Sequence, residues 1–315
     1  MNVHVVTAPV GVVALLSFGW WATVAMAAPL APDITVLLSR DERPYRQALA
    51  GFDAYLKGQG IVARLDVRII ERDGAVPPPA VPDGERATPA LIFTLGSPAV
   101  RAAMGRNSGT PLVAGLIVDG WDLKDATNAT GVVLEFPIET SLDWMRRLLP
   151  QCKRVGVLYN PEENKARVGA AVAAARGMGM DLVAREVDSP SALPGALKSL
   201  SRSVDVLWGM PDHVVLSPEA ARPLLLFSFS NRIPFVGASA SWVKAGALFC
   251  LTWDYQDLGA QCGELAGKLL RGKAAADLPP ASPRRVLYAL NLKAARQMKI
   301  EFSDEVVRGA YQVFD

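Results

Sequence analysis

The polar residues best placed for chemistry stand at the ends of short apolar runs. They are Ser39 to Asp41, Gly96-Ser97, Asp119-Gly120, Asn160 to Asn164, Pro211-Asp212 and Ser239 to Ser241. Their types suit non-covalent recognition more than bond making. Hydroxyls and side-chain amides exchange hydrogen bonds with a polar solute, and a carboxylate such as Asp212 or Glu163 meets an ammonium. A Gly-Ser pair that opens a helix offers free N–H groups and the positive end of the helix dipole to an anion. Gly96-Ser97 is the best such site. Each residue also has a plainer reading as a cap or turn former. Ser97 reads equally as helix cap and ligand contact, and one residue can do both. Asn160, before Pro161, reads first as a turn. Asp212 reads first as a ligand group, because Ser217 looks like the cap of the helix that follows it.

Covalent chemistry finds less support. Gly237-Ala-Ser239-Ala-Ser241 resembles a nucleophile elbow, but Ser stands where its last Gly belongs. That elbow needs a downstream His, and His213 lies upstream. HExxH, GxxxxGK[ST] and GxGxxG are absent. The three cysteines, Cys152, Cys250 and Cys262, form no CxxC pair, so no zinc site is expected. Cys250 and Cys262 could pair if their elements touch, but buried free thiols are the expectation. No enzyme, cofactor or metal is therefore expected. Trp144 reads as core, and Trp208 and Trp253, near strand ends, read first as core and second as walls of a cleft.

The elements that must position these turns alternate. Strands are expected at residues 34–39, 63–70, 91–95, 112–118 and 131–136, with helices after Pro44 and after Ser97-Pro98. A second set follows: helix 138–149, strand 155–159, helix 162–178, strand 182–187, helix 191–200, strand 204–208 and a helix opened by Ser217-Pro218. Strands at 234–238 and 247–253, a helix at 255–270, a strand at 285–290 and a short helix complete it. Alternation at this spacing argues for α/β architecture with parallel sheets covered on both sides, in two successive lobes. In open parallel sheets, ligands bind beyond the carboxyl ends of the strands, where the six turns lie.

The totals agree. Of 315 residues, 50% are hydrophobic and 20% charged, so a large core can be buried and disorder is not expected. With 33 basic and 31 acidic residues, nucleic-acid binding is not expected. From Met1 to Pro32 there is no Asp, Glu, Lys or Arg, and Val10 to Met26 is almost wholly apolar. Ala25-Met26-Ala27 suits signal peptidase, so residues 1–27 are expected to be a signal peptide cleaved near Ala27, in preference to a retained anchor. The folded part is expected in the periplasm.

The chain resembles the ABC transporter substrate-binding proteins related to tryptophan- and tyrosine-type binding proteins, with the type I periplasmic-binding fold. LGSPAV at Leu95, TNATGV at Thr127, KRVGVLYNPEENKA at Lys153, VDVLWGMPDHVV at Val204, the stretch from Ile233 to Lys273 and LNLKAARQMKI at Leu290 carry the resemblance. It departs at Asn164-Lys165, where Asn-Ser is common, and at Gly209-Met-Pro-Asp212, where a Pro-Thr-Asp type turn is common. The resemblance implies two doubly wound lobes, residues 33–136 with 253–285 and residues 137–252 with 286–315, joined by a three-segment hinge. Crossings are expected near 133–137, 251–254 and 286–290. It further implies a monomeric receptor that closes on an amino acid or similar solute and delivers it to a membrane ABC permease. The alternative partner is a membrane signalling protein. Closure needs contacts from both lobes. The expected ligand residues are Ser39, Gly96 and Ser97 from the first lobe, and Asn160, Asn164, Asp212 and Ser239 from the second.

Overall fold

Strand β1 (Asp33–Leu38), helix α1 (Arg43–Gly58), β2 (Arg64–Ile69), β3 (Leu91–Leu95), α2 (Ser97–Met104), β4 (Leu112–Ile117) and β5 (Ala129–Val133) come first in the chain. Their strands pair in parallel in the order β2-β1-β3-β4-β5. The inner strands are buried on both faces, which is why LIFTL and LVAGLI read as unbroken apolar runs rather than alternating ones. The computed structural model describes Met1 and residues 31–71, 75–77, 88–105, 109–118, 120–124 and 126–315. The expected signal peptide, Asp119, the side chain of Trp121 and most of the proline-rich loop at 76–89 lie outside the described residues.

The second series is α3 (Ile138–Leu148), β6 (Arg154–Tyr159), α4 (Pro161–Gly177), β7 (Asp181–Glu186), α5 (Leu193–Leu200), β8 (Val206–Trp208), α6 (Pro218–Asn231), β9 (Phe235–Val236), α7 (Ala240–Ala245) and β10 (Phe249–Trp253). Then come α8 (Tyr255–Leu270), β11 (Val286–Asn291), α9 (Leu292–Met298), α10 (Asp304–Gly309) and β12 (Gln312–Phe314). The second sheet runs β12-β11-β10-β9-β8-β6-β7, parallel throughout except for the antiparallel pair β10–β11. The architecture is α/β with two parallel-dominated sheets, as the alternation of elements predicts. Residues Ala31–Asp315 pack as one compact unit.

Helices cover both faces of each sheet. Against one face of the first lie α1 and α8, with Phe52 stacked on Phe93 at 4.0 Å between ring centres. These helices touch backbone to backbone: a Cβ at Gly259 would sit 1.8 Å from the Ala48 carbonyl oxygen, so only glycine fits. Ala99, Val100 and Ala103 of α2 cover the other face. In the second sheet, α3 and α4 bury Leu142, Met145 and Val168 on one side, and α5 and α6 bury Leu197 and Leu224 on the other.

Helix α8 follows β10 in sequence yet packs on the first sheet. The chain therefore passes between the sheets at residues 134–137, at Asp254 and at residues 279–285. The last passage is held to β5 by Val133 N–H donating to the Ala281 carbonyl at 2.9 Å and by Thr130 Oγ1 donating to the Leu278 carbonyl at 2.6 Å.

Several boundaries differ from the expectation. The strand expected at 131–136 ends at Val133, because its partner β4 ends at Ile117 and Glu135 N–H turns back to the Val133 carbonyl at 2.8 Å. The strand expected at 234–238 shrinks to Phe235–Val236, and α7 follows directly. Helix α10 and edge strand β12 were not expected; β12 is too short to show a periodicity and exists by pairing with β11. Among the described residues no helix is long and apolar enough to cross a membrane.

Candidate ligand-binding site

The turns at the carboxyl ends of β1 and β3 meet first. Ser97 is not the cap of α2. Gly96 occupies the cap position at φ +91°, and Ser39 Oγ, reaching across from the end of β1, accepts from Ala99 N–H at 3.0 Å. A side chain at Gly96 would collide with that hydroxyl, since a Cβ there would lie 2.6 Å from Ser39 Oγ and 3.2 Å from Tyr45 Oη. Ser39, Tyr45, Gly96 and Ser97 thus share one small surface. Tyr45, which sequence reasoning did not select, belongs to it because α1 starts four residues after Ser39 and turns its first face inward. With Ser39 capping the helix, the Ser97 hydroxyl has no hydrogen-bond partner among the described residues.

The turns after β6 and β8 are tied more heavily. The buried Asp212 carboxylate accepts four hydrogen bonds. Oδ2 takes Asn160 N–H at 2.7 Å and Asn164 Nδ2 at 2.9 Å; Oδ1 takes Val214 N–H at 2.9 Å and Val215 N–H at 2.8 Å. Asn164 Nδ2 also donates to the Pro211 carbonyl at 3.0 Å. Asn160 Oδ1 caps α4 by accepting from Glu162 N–H at 3.2 Å, the reading favoured by Asn-Pro. Glu163 accepts from His213 N–H at 3.0 Å and pairs with His213 Nδ1 at 2.9 Å. Both acids that could have met an ammonium are therefore engaged within the fold. Ser217 caps α6, as expected, by accepting from Ala220 N–H at 3.3 Å. Ser239 precedes α7 without capping it and pairs through Oγ with Ser241 Oγ at 2.7 Å. No histidine contacts Ser239 among the described residues, because His213 is held by Glu163.

A cavity of about 260 Å³ opens where the chain passes between the sheets. Val118, Leu134, Glu135 and Phe136 line it from the first sheet's end. Trp208, Gly209, Pro211, Val236 and Ala238 line it from the strand ends of the second, with Trp253 at a crossing. None of the seven expected ligand residues lines it; Pro211 and Ala238 are immediate neighbours of Asp212 and Ser239. Its walls are mostly aromatic and aliphatic, and Trp253 stacks on Phe136 at 5.1 Å. Trp208 and Trp253 both wall it, while Trp144 packs on Tyr288 in the core.

The charged residues of this cavity, Arg167 and Glu135, were missed. They form an ion pair, Arg167 Nη1 to Glu135 Oε1 at 3.0 Å. A signal was present: Asn160, Asn164 and Arg167 fall at i, i+4 and i+7 and share one face of α4. The alanine-rich run around Arg167 hid it.

The three cysteines are buried and free. Burial pushes the thiols of Cys152 and Cys250 up to about 12 and that of Cys262 higher still, so none is a nucleophile at neutral pH. Among the described residues no cluster of His, Cys, Asp and Glu could hold a metal ion.

Comparison with known proteins bears on what this arrangement serves. Residues 90–314 match the family model described as ABC transporter substrate binding protein. The chain is 28% identical over 223 residues to a tyrosine-binding protein of Clostridioides difficile (strain R20291), covering 67% of this chain and 64% of that one. It is 23% identical over 206 residues to an uncharacterized protein of Rickettsia prowazekii (strain Madrid E), covering 65% of each. The matches thus span just under two thirds of these relatives' lengths. Among solved structures, the ligand-free, open structure of a substrate binding protein with adhesive properties from Clostridium difficile aligns with TM-score 0.69 at 20% identity, covering 90% of this chain and 99% of that one. An ABC domain in complex with L-Trp from Streptococcus pneumonia aligns with TM-score 0.54 at 21% identity, covering 89% and 100%. At these identities the structural likeness speaks to the fold alone.

Proposed function

The chain belongs to the ABC transporter substrate binding protein family, and from that premise we propose that it is an exported receptor that captures an amino acid or similar small solute between two lobes and hands it to an ABC importer in the membrane. Substrate binding, not catalysis, is the activity of that family. The observation that carries the proposal is the cavity at the inter-sheet passages, lined from the strand ends of both sheets. A solute there contacts the segments that must bend for the lobes to move, so it favours a closed state through contacts an open state lacks. In this reading residues 134–137, Asp254 and residues 279–285 act as the hinge.

Closure brings the first lobe's surface of Ser39, Tyr45, Gly96 and Ser97 over the solute, with Ser97 Oγ as its hydrogen-bonding group. Asn160 and Ser239, beside the cavity wall at Pro211 and Ala238, come within its reach from the second lobe on closure. Asn164 and Asp212 hold the second lobe's turns in place and act on the solute through them. The aromatic walls suit a flat or apolar solute body. The protein works as a monomer in the periplasm, released from its apolar N-terminal segment.

The test is thermal melting of the purified protein against amino acids, aromatic acids, nucleobases and small sugars. A solute at about a hundredfold over its Kd adds roughly 2.7 kcal/mol and raises Tm by several degrees. Ser97→Ala is expected to reduce that shift without changing the ligand-free Tm. No shift from any solute in the panel would sink the receptor reading.

A further inference from the structure

The cavity contains an imbalance that the receptor reading does not explain. Two buried side-chain nitrogens have no hydrogen-bond partner among the described residues, Arg167 Nε and Trp253 Nε1. Both belong to side chains that line this same cavity. Both are donors only, since neither guanidinium nor indole N–H can accept. Leaving a buried donor unpaired is destabilising, so such atoms call for an explanation.

The chemistry of the missing partner can be read from the rest of the molecule. Arg46, Arg68, Arg154 and Arg284 each set the Nε–Nη2 edge of the guanidinium against a carboxylate. The Nε to oxygen distances are 2.6, 3.1, 3.1 and 3.0 Å, on Asp41, Asp66, Asp205 and Asp257. The matching Nη2 distances are 2.8, 2.6, 2.6 and 2.9 Å. Arg40, Arg101 and Arg285 pair through Nη1 instead, and so does Arg167, but among the described arginines only Arg167 has a buried Nε with no partner. Its ion pair to Glu135 uses Nη1, the atom outside that edge. The side-on edge, which fits a planar two-oxygen acceptor, therefore carries an unpaired Nε.

We infer that this cavity reads a carboxylate on the solute, with the Nε–Nη2 edge of Arg167 and Trp253 Nε1 as its donors, and that Arg167 sets specificity for it. This rests on the receptor reading and narrows it: the solute is a carboxylic acid with a flat or apolar body, and its acid group lies at the hinge rather than at the Gly96-Ser97 turn. Glu135 keeps Nη1 and holds the guanidinium in place while the carboxylate takes the edge that carries the unpaired Nε. The apolar remainder of the wall, including Phe136, Trp208 and Leu251, receives the solute's body. Because Arg167 stands on α4 and Trp253 at a passage between the sheets, one carboxylate joins the second lobe to the hinge.

Two trios of probes test this by isothermal titration of the purified protein: L-tryptophan, indole-3-propionate and tryptamine; L-leucine, 4-methylpentanoate and 3-methylbutylamine. Within each trio the body is constant and the charged groups differ. In at least one trio, the amino acid and the deaminated acid are expected to bind and the amine not to. Arg167→Gln is expected to weaken the acids by about 10- to 100-fold. Trp253→Phe, which keeps the ring and removes the N–H, should weaken them several-fold. Arg167→Lys keeps the charge without the side-on edge and should lose most of the same affinity, which guards against a Gln variant that folds poorly. Binding of an amine as tight as its acid would overturn the carboxylate assignment while leaving the receptor reading intact. So would a solute of any class whose affinity ignores both Arg167 variants. No binding by these probes or by the wider solute panel would remove both.

Discussion

The first sheet, β2-β1-β3-β4-β5, and the run β7-β6-β8-β9-β10 of the second share one strand order, counted from the start of each series. In both, the turns after the first and third strands lie side by side, and in both a polar side chain ties one to the other. The ties differ in strength. In the first sheet a single hydroxyl, Ser39 Oγ, accepts one N–H from α2. In the second, one buried carboxylate gathers four donors, and a Glu163–His213 clasp lies beside it. A charged acceptor with a filled shell forms stronger bonds than a neutral hydroxyl, and its loss strands more donors. The turns of the second sheet are therefore held the more firmly, and those of the first are tied more lightly.

Three substitutions bear on this contrast. Asp212→Ala leaves Asn160 N–H, Asn164 Nδ2 and the Val214 and Val215 N–H groups without their acceptor. It should cost roughly 3–5 kcal/mol of unfolding free energy, read by urea denaturation, and speed amide exchange at residues 160–164 and 212–216. A loss below about 1 kcal/mol would erase the difference between the two ties. Ser39→Ala removes one cap and should cost about 1 kcal/mol, with exchange rising at Ala99. A penalty as large as that of Asp212→Ala would mean that the first tie is just as stiff.

The smallest effect is expected at the opposite, amino ends of the second sheet's strands. Asp205 accepts from Arg154 Nε and Nη2 and from the N–H groups of Lys153 and Arg154. Burial raises its pKa, but these bonds outweigh burial and leave it below the usual Asp value. A depressed folded-state pKa stabilises the fold above the unfolded value of about 3.9, and that contribution is lost as pH falls through the lower folded value. The site is partly exposed, so Asp205→Asn should cost no more than about 1 kcal/mol at pH 7. The difference between wild type and variant should shrink as pH falls below about 3.9 and vanish once the lower folded value is passed. A difference that persisted there would point to lost packing instead of lost charge.

The fold was legible because its signals are local. Helix α8 is found where Tyr255 to Leu270 repeat Leu258, Cys262, Leu265 and Leu269 on one face, and the Ser217 cap follows from its place before Pro218. The site was less legible because its ties span tens of residues. Ser39 caps a helix sixty residues on, and Asp212 bonds Asn160 from fifty-two residues away. Neither partner can be chosen from spacing alone. The turns at Ser39, Gly96, Asn160, Asp212 and Ser239 stand at strand ends as expected, and Asp212, expected as a ligand group, ties its own turn to that of Asn160. Arg167 escaped because one of several cations in an alanine-rich helix looks like part of a solvated face until the fold sets it in the cavity that Trp253 also lines.

The contact between α1 and α8 also has a consequence for how the chain is made. The first sheet's five strands have all been synthesised by Val133, yet the helix that covers one of its faces begins at Tyr255 and meets α1 through Gly51 and Gly259. A ribosome that has released the first five strands has released a sheet whose core around Phe52 and Phe93 is still open to water. The contiguous run from β6 to β10 can close around its own helices before that core is sealed. The first half of the chain to emerge is thus left unfinished until α8, well past the midpoint, has followed.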